Sequence, residues 1–148
     1  MLNLEEILVD WEKDSKINDK DLSSASLDTA LMHAKYLKLL SLAKLQSKKS
    51  HLNQKTLLKD KWLYYNNKMS KEEIDEKGWD YDPLNGLTVL KGDMDRYYDA
   101  DPLIQEHQAK IQYLEEVCST LKEILENIKW RHQNIKNMIE WRKFTSGI

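Results

Sequence analysis

Apolar residues recur along this chain at three- and four-residue steps and seldom alternate with polar ones, which is the pattern of helices rather than strands. Leu4, Ile7, Leu8 and Trp11 predict a short amphipathic helix over about 3–14. Asn18, Asp19 and Asp21 then offer capping oxygens, and no Pro or Gly follows before Gly78, so a long helix is expected over 21–65. In its first half Leu27, Ala30, Leu31, Ala34 and Leu37 make one stripe, while Tyr36, Leu39, Leu40 and Ala43 lie partly on a second. Two apolar faces imply two packing partners. Between Gln46 and Thr56 only Leu52 is apolar, so this half reads as solvated.

Ser70 followed by Glu73 has capping-box spacing and Gly78 can end the turn, which predicts a short helix over 70–77. Trp79 to Gly86 carries turn chemistry, and residues 66–100 as a whole read as an acidic connector. Asp101-Pro102 has the form of an N-cap and first helical residue, opening a second long helix over 101–143. There Ile104, His107, Ile111, Leu114, Cys118, Leu121, Leu125, Ile128, His132, Ile135 and Ile139 alternate by three and four, a coiled-coil-like register. Ile111, Leu114, Cys118, Leu121, Leu125, Ile128, Ile135 and Ile139 are therefore the expected oligomerisation contacts. Val117, Ile124 and Met138 widen the stripe, as when a helix meets more than one neighbour. The expectation is an all-α fold of long helices in one domain of 148 residues, ending in a coiled-coil-like oligomerisation helix. Only 4 Gly and 2 Pro suit such a fold.

The net charge of -2 conceals a segregation. Residues 35–71 hold ten Lys and Arg against one acidic residue, and residues 72–107 hold three against eleven. A block so basic needs a polyanion, an acidic partner, or the chain's own acidic segments to offset its repulsion. Lys44, Lys48, Lys55 and Lys59 are 4, 7 and 4 residues apart and form a ridge on one helical face.

Nothing in the pattern supports catalysis. The four histidines are dispersed, with His107 and His132 in the seam, and Cys118 also lies there with no base near it in sequence. Asp93, Asp95, Asp99 and Asp101 lack calcium-loop spacing and read as capping and charge balance, and no phosphate-cradling glycine loop occurs. No enzyme, metal or cofactor is expected. One cysteine excludes an intrachain disulfide and suits a reducing compartment. The opening Met-Leu-Asn-Leu-Glu-Glu has no export signal and no apolar run is long enough to span a membrane, so no membrane partner is expected.

The stretch Lys59-Asp-Lys61-Trp62-Leu-Tyr64-Tyr65 sets lysines beside aromatics, which is what single-stranded nucleic acid requires: cations for phosphates and rings for unstacked bases. The same rings could instead pack, since a three-residue spacing puts Trp62 and Tyr65 near one face. From the residues alone both readings stand. So does an adaptor whose basic helix docks on an acidic protein.

This stretch has the form basic-x-basic-x-x-Tyr-Tyr and resembles the corresponding motif of the UvsY family of phage recombination mediators. The ending Lys129-Trp-Arg131, Ile135-Lys136, Ile139, Arg142, Phe144 and Gly147 is similar to that family's C-terminus. The resemblance implies a ring-like homo-oligomer in the cytoplasm of a phage-infected bacterium. It would bind single-stranded DNA and load a RecA-like, UvsX-type recombinase onto strands covered by the phage single-strand-binding protein. The role of the family's basic pair passes to Lys59 and Lys61, with Trp62, Tyr64 and Tyr65 as stacking rings and Lys44, Lys48 and Lys55 as supporting cations. Lys61 stands where the family can have arginine, which forgoes bidentate phosphate contact, and Asp60 sets a negative charge between the two bases.

Overall fold

The computed structural model describes residues 2–147, and among these every regular element is helical. Five α-helices follow one another: α1 (Leu4–Asp14), α2 (Leu22–Tyr65), α3 (Lys71–Lys77), α4 (Met94–Ala100) and α5 (Pro102–Thr145), with a 3-10 turn at Lys91–Asp93 leading into α4. The chain divides into two compact units, one of Met1–Gln46 with Leu114–Ile148, the other of Ser47–Tyr113.

In the first unit the Asn3 side chain caps α1 by accepting from the Glu6 amide at 3.2 Å, and Asp21 does the same for α2 from Ser24 at 3.1 Å. The end of α1 is held from three directions. Asp14 accepts from Lys35 at 2.7 Å and from the Tyr36 hydroxyl at 2.8 Å, and Trp11 meets the Tyr36 ring edge-on. Arg131 of α5 donates to the carbonyls of Asp14, Ser15 and Lys16 at 3.4, 2.9 and 3.3 Å, capping the terminal turn of α1 with a guanidinium. Further along, Leu22, Ala25 and Ile135 form a buried cluster with Ile17 and Met138 against it.

The expected oligomerisation seam is found inside the single chain. Ile111, Leu114, Cys118, Leu121, Ile128 and Ile135 are all buried, Leu125 is half-buried, and Ile139 is exposed. These six side chains are already covered by the chain's own packing. Late in α5 the buried face departs from the heptad register. Arg131 and Met138 turn inward where His132 and Ile139 were in register, because residues 14–25 cover that side of the helix.

Candidate nucleic-acid interface

The second unit contains the lysine-aromatic motif and the turns that arrange it. Helix α2 ends in a Schellman turn: the Asn67 amide donates to the Tyr64 carbonyl at 3.3 Å and the Lys68 amide to the Leu63 carbonyl at 2.8 Å. Asn67 adopts the left-handed conformation this turn needs, with φ of 56°. The reversal returns Lys68 to the side of α2 that carries Trp62, and its ammonium lies 4.7 Å from the Trp62 ring centroid.

Helix α3 repeats the device. Ser70 accepts from the Glu73 amide at its start, and at its end Gly78 (φ 71°) and Trp79 donate to the carbonyls of Asp75 and Ile74. This second reversal returns Trp79 to α2, where its ring faces Tyr64 at 5.0 Å and receives the Lys61 ammonium at 3.9 Å. Tyr64, Met69 and Ile74 are the buried centre of this layer, with Leu63, Tyr65 and Trp79 packed against it.

The two turns therefore sort the motif onto two faces. Lys61, Tyr64 and Tyr65, related by three and four residues, point inward and continue a buried line that includes Ser50 and Leu57. Lys61 is paired with Asp101 at 3.0 Å, with side-chain exposures of 7% and 2%. The Tyr65 hydroxyl donates to the same carboxylate oxygen at 2.7 Å, and the Tyr64 hydroxyl donates to the Asp80 carbonyl at 2.5 Å. The other Asp101 oxygen accepts from the amides of Leu103 and Ile104 at 2.9 and 3.1 Å, so this residue is also the N-cap of α5. Burial alone would raise the Asp101 pKa, but the Tyr65 hydroxyl, Lys61 and the Ile104 amide hold its carboxyl below the ordinary value. Burial and the Asp101 charge together push the Tyr65 phenol well above its ordinary value. Of the expected DNA contacts, Lys61, Tyr64 and Tyr65 therefore have their polar atoms engaged inside the unit, with Asp101 and the Asp80 carbonyl as partners.

Lys48, Lys55, Lys59 and Trp62 form the opposite, exposed face, spaced by 7, 4 and 3 residues over about 21 Å of helix. Leu52 lies on the same face, also exposed. None of these three lysines has a carboxylate within ion-pair distance among the described residues, so their charges are available to an outside anion. Asp60, the acidic intruder in the motif, is matched by Lys77 at 3.3 Å, which offsets its repulsion of a polyanion. Lys44, exposed too, precedes this face on α2 and belongs to the first unit.

Two features of this layer escaped the sequence reading. Lys68 was not among the expected contacts, although a lysine directly after Asn-Asn at a helix end is a signal for a turn that brings it back. Asp101 was expected as a cap and as general charge balance; nothing in its local sequence announces the ion pair with a residue forty positions earlier. No group of three or more metal-binding side chains converges among the described residues, and no helix there is long and apolar enough to cross a membrane.

Comparison with known proteins agrees with this architecture. Residues 10–148 match the family described as recombination, repair and ssDNA binding protein UvsY. The fold is similar to crystal structures of the bacteriophage T4 recombination mediator protein UvsY: in lattice type II with a TM-score of 0.83 and 20% identity over 99% of each chain, and in lattice type I with a TM-score of 0.80 and 21% identity over 96% of this chain and 98% of that one. No curated protein sequence matches the chain.

Proposed function

The chain belongs to the UvsY family of recombination, repair and single-stranded-DNA-binding proteins, and from that premise we propose that it binds single-stranded DNA along the outer face of α2 and acts as a recombination mediator. The observation that carries this reading is the exposed line of Lys48, Lys55, Lys59 and Trp62, three cations with no carboxylate partner among the described residues, ending in an accessible ring. Lysines would neutralise successive phosphates and Trp62 would stack on a base, a mode that tolerates any sequence and weakens with salt. Lys44 extends the same basic character into the first unit.

Assembly into a ring-like homo-oligomer is part of the proposal, and the first unit supports it with a different set of side chains from the heptad seam. Leu27, Leu31 and Leu45 on α2 are exposed, as are Trp130, Trp141 and Phe144 on α5, the last at 77%. Apolar surface of this extent on one unit is what a second copy would cover. A ring would present the weak DNA face many times, so that once one subunit engages, further contacts are effectively intramolecular. A strand held this way could be released by the single-strand-binding protein and passed, extended, to a RecA-like recombinase in the infected cell's cytoplasm.

The test is a loading assay. Recombinase ATPase activity on single strands precoated with single-strand-binding protein should rise when the wild-type protein is added and stay at the uncatalysed level with Lys55→Ala/Lys59→Ala. Equal stimulation by that double variant would contradict the proposed interface.

A further inference from the structure

The motif at the end of α2 has two cations in sequence, Lys59 and Lys61, but only one faces outward. We propose that Lys68 supplies the second DNA-contacting cation, clamped beside Trp62 by the Asn67 turn, while Lys61 is a positioning residue that never touches the strand. This inference rests on the single-strand-binding reading above.

Three observations carry it. First, Lys68 is exposed and, among the described residues, has no carboxylate partner, and its ammonium stands 4.7 Å from the one ring at the end of the exposed ridge. A base stacked on Trp62 would bring its own phosphate to that ammonium, so cation and ring act on one nucleotide. Second, this placement is built into the backbone. The left-handed Asn67 and the hydrogen bond that the Lys68 amide donates to the Leu63 carbonyl fix where the lysine leaves the helix, and the Asn67 side chain donates to the Leu87 carbonyl at 3.3 Å, tying the turn to the connector. Third, Lys61 is enclosed by Asp101, Trp79 and Tyr64, and drawing its ammonium out to a phosphate would leave the Asp101 carboxylate buried and unpaired. Its work is to hold the last turns of α2 against the start of α5, which keeps Lys59 and Trp62 outward.

Lysine footprinting of the intact wild-type protein, by amine acylation and mass spectrometry with and without a dT oligonucleotide, tests this without any variant. Lys59 and Lys68 should react when free and be protected severalfold by the oligonucleotide, and Lys61 should be unreactive in both states. A Lys61 that reacts and becomes protected, or a Lys68 that reacts equally with and without bound strand, overturns the proposal.

Salt titrations add a second readout. Lys68→Ala should lower the slope of log K against log salt by about 0.7, as Lys59→Ala should. Lys61→Met should raise Kd severalfold with the slope unchanged, because the lost contact is internal, and Lys61→Met/Asp101→Asn, which removes both charges and keeps an N-cap, should restore Kd to within about threefold. A reduced slope in Lys61→Met/Asp101→Asn overturns the assignment. If the wild type binds no strand at all, the underlying single-strand reading fails and takes this inference with it.

Discussion

The Lys61 ammonium and the Asp101 carboxylate lie 3.0 Å apart, almost sealed from solvent, and join the end of α2 to the first turn of α5 within one unit. Such a pair adds little net stability against a well-packed apolar replacement, yet breaking one half of it strands a charge, at a cost on the order of 3–5 kcal/mol. Lys61→Met should therefore lower the melting temperature far more than Lys59→Ala, whose side chain is exposed. Thermal unfolding by circular dichroism gives both values directly.

The same pair fixes an acid dependence. The folded Asp101 carboxyl titrates below its ordinary value of 3.8, so near that pH the folded state binds fewer protons than the unfolded one. The stability it contributes is complete above the unfolded pKa and is lost as pH falls through the folded one. Below about pH 4 the melting-temperature gap between wild type and Asp101→Asn should shrink. Melting curves between about pH 3 and 7 measure it, and a gap constant down to the lowest pH would show that the charge is not what stabilises this site.

Asn67 and Gly78 occupy left-handed positions at the ends of α2 and α3. Asn67→Gly keeps that conformation accessible and should lose only the side-chain hydrogen bond to the Leu87 carbonyl, about 0.5–1 kcal/mol, whereas Asn67→Val loses the same bond and should cost roughly 1–2 kcal/mol more by forcing a branched side chain into the left-handed region. Nothing lies within 4 Å of where a Cβ on Gly78 would point, so Gly78→Ala should lose only the conformational part, about 1 kcal/mol. Urea denaturation separates the three.

Much of this fold was legible from spacing. The limits of α1, α2, α3 and α5 fall within two residues of those expected, because caps at Asn3, Asp21, Ser70 and Asp101 and the glycine at 78 mark them chemically. Helix α4 was read as connector: Met94, Tyr97 and Tyr98 are its only large apolar residues, set among acids, and one turn of such spacing carries little signal. The heptads in α5 were visible, but a period reports that a face is covered and is silent on whether the cover is another chain or an earlier helix. The motif itself held a usable clue. Lys61 continues the line from Leu57 to Tyr64, a core stripe, while Lys59 and Trp62 continue the lysine ridge, so the motif divides between two faces.

Arg131 connects the end of α1 to α5 through three carbonyls, so its removal should act locally. Arg131→Met should destabilise the first unit by about 1–3 kcal/mol and raise amide exchange in α1 more than in α3. Uniform acceleration across both helices would argue against a local cap.

The rings of Trp141 and Phe144 stack at 5.8 Å and are largely exposed. If they belong to the contact between copies, Trp141→Asp/Phe144→Asp should reduce the mass seen by light scattering while leaving helical content intact. An unchanged mass would move assembly to the exposed leucines of α2.

The central claim is that the outer face of α2 holds single-stranded DNA, and fluorescence anisotropy of a labelled dT oligonucleotide across a salt series, with matched duplex as competitor, tests it most directly. The account predicts salt-sensitive binding that duplex competes for poorly, and a slope reduced by about 1.4 in Lys55→Ala/Lys59→Ala. Binding that ignores salt, or a double variant with the wild-type slope, would contradict it.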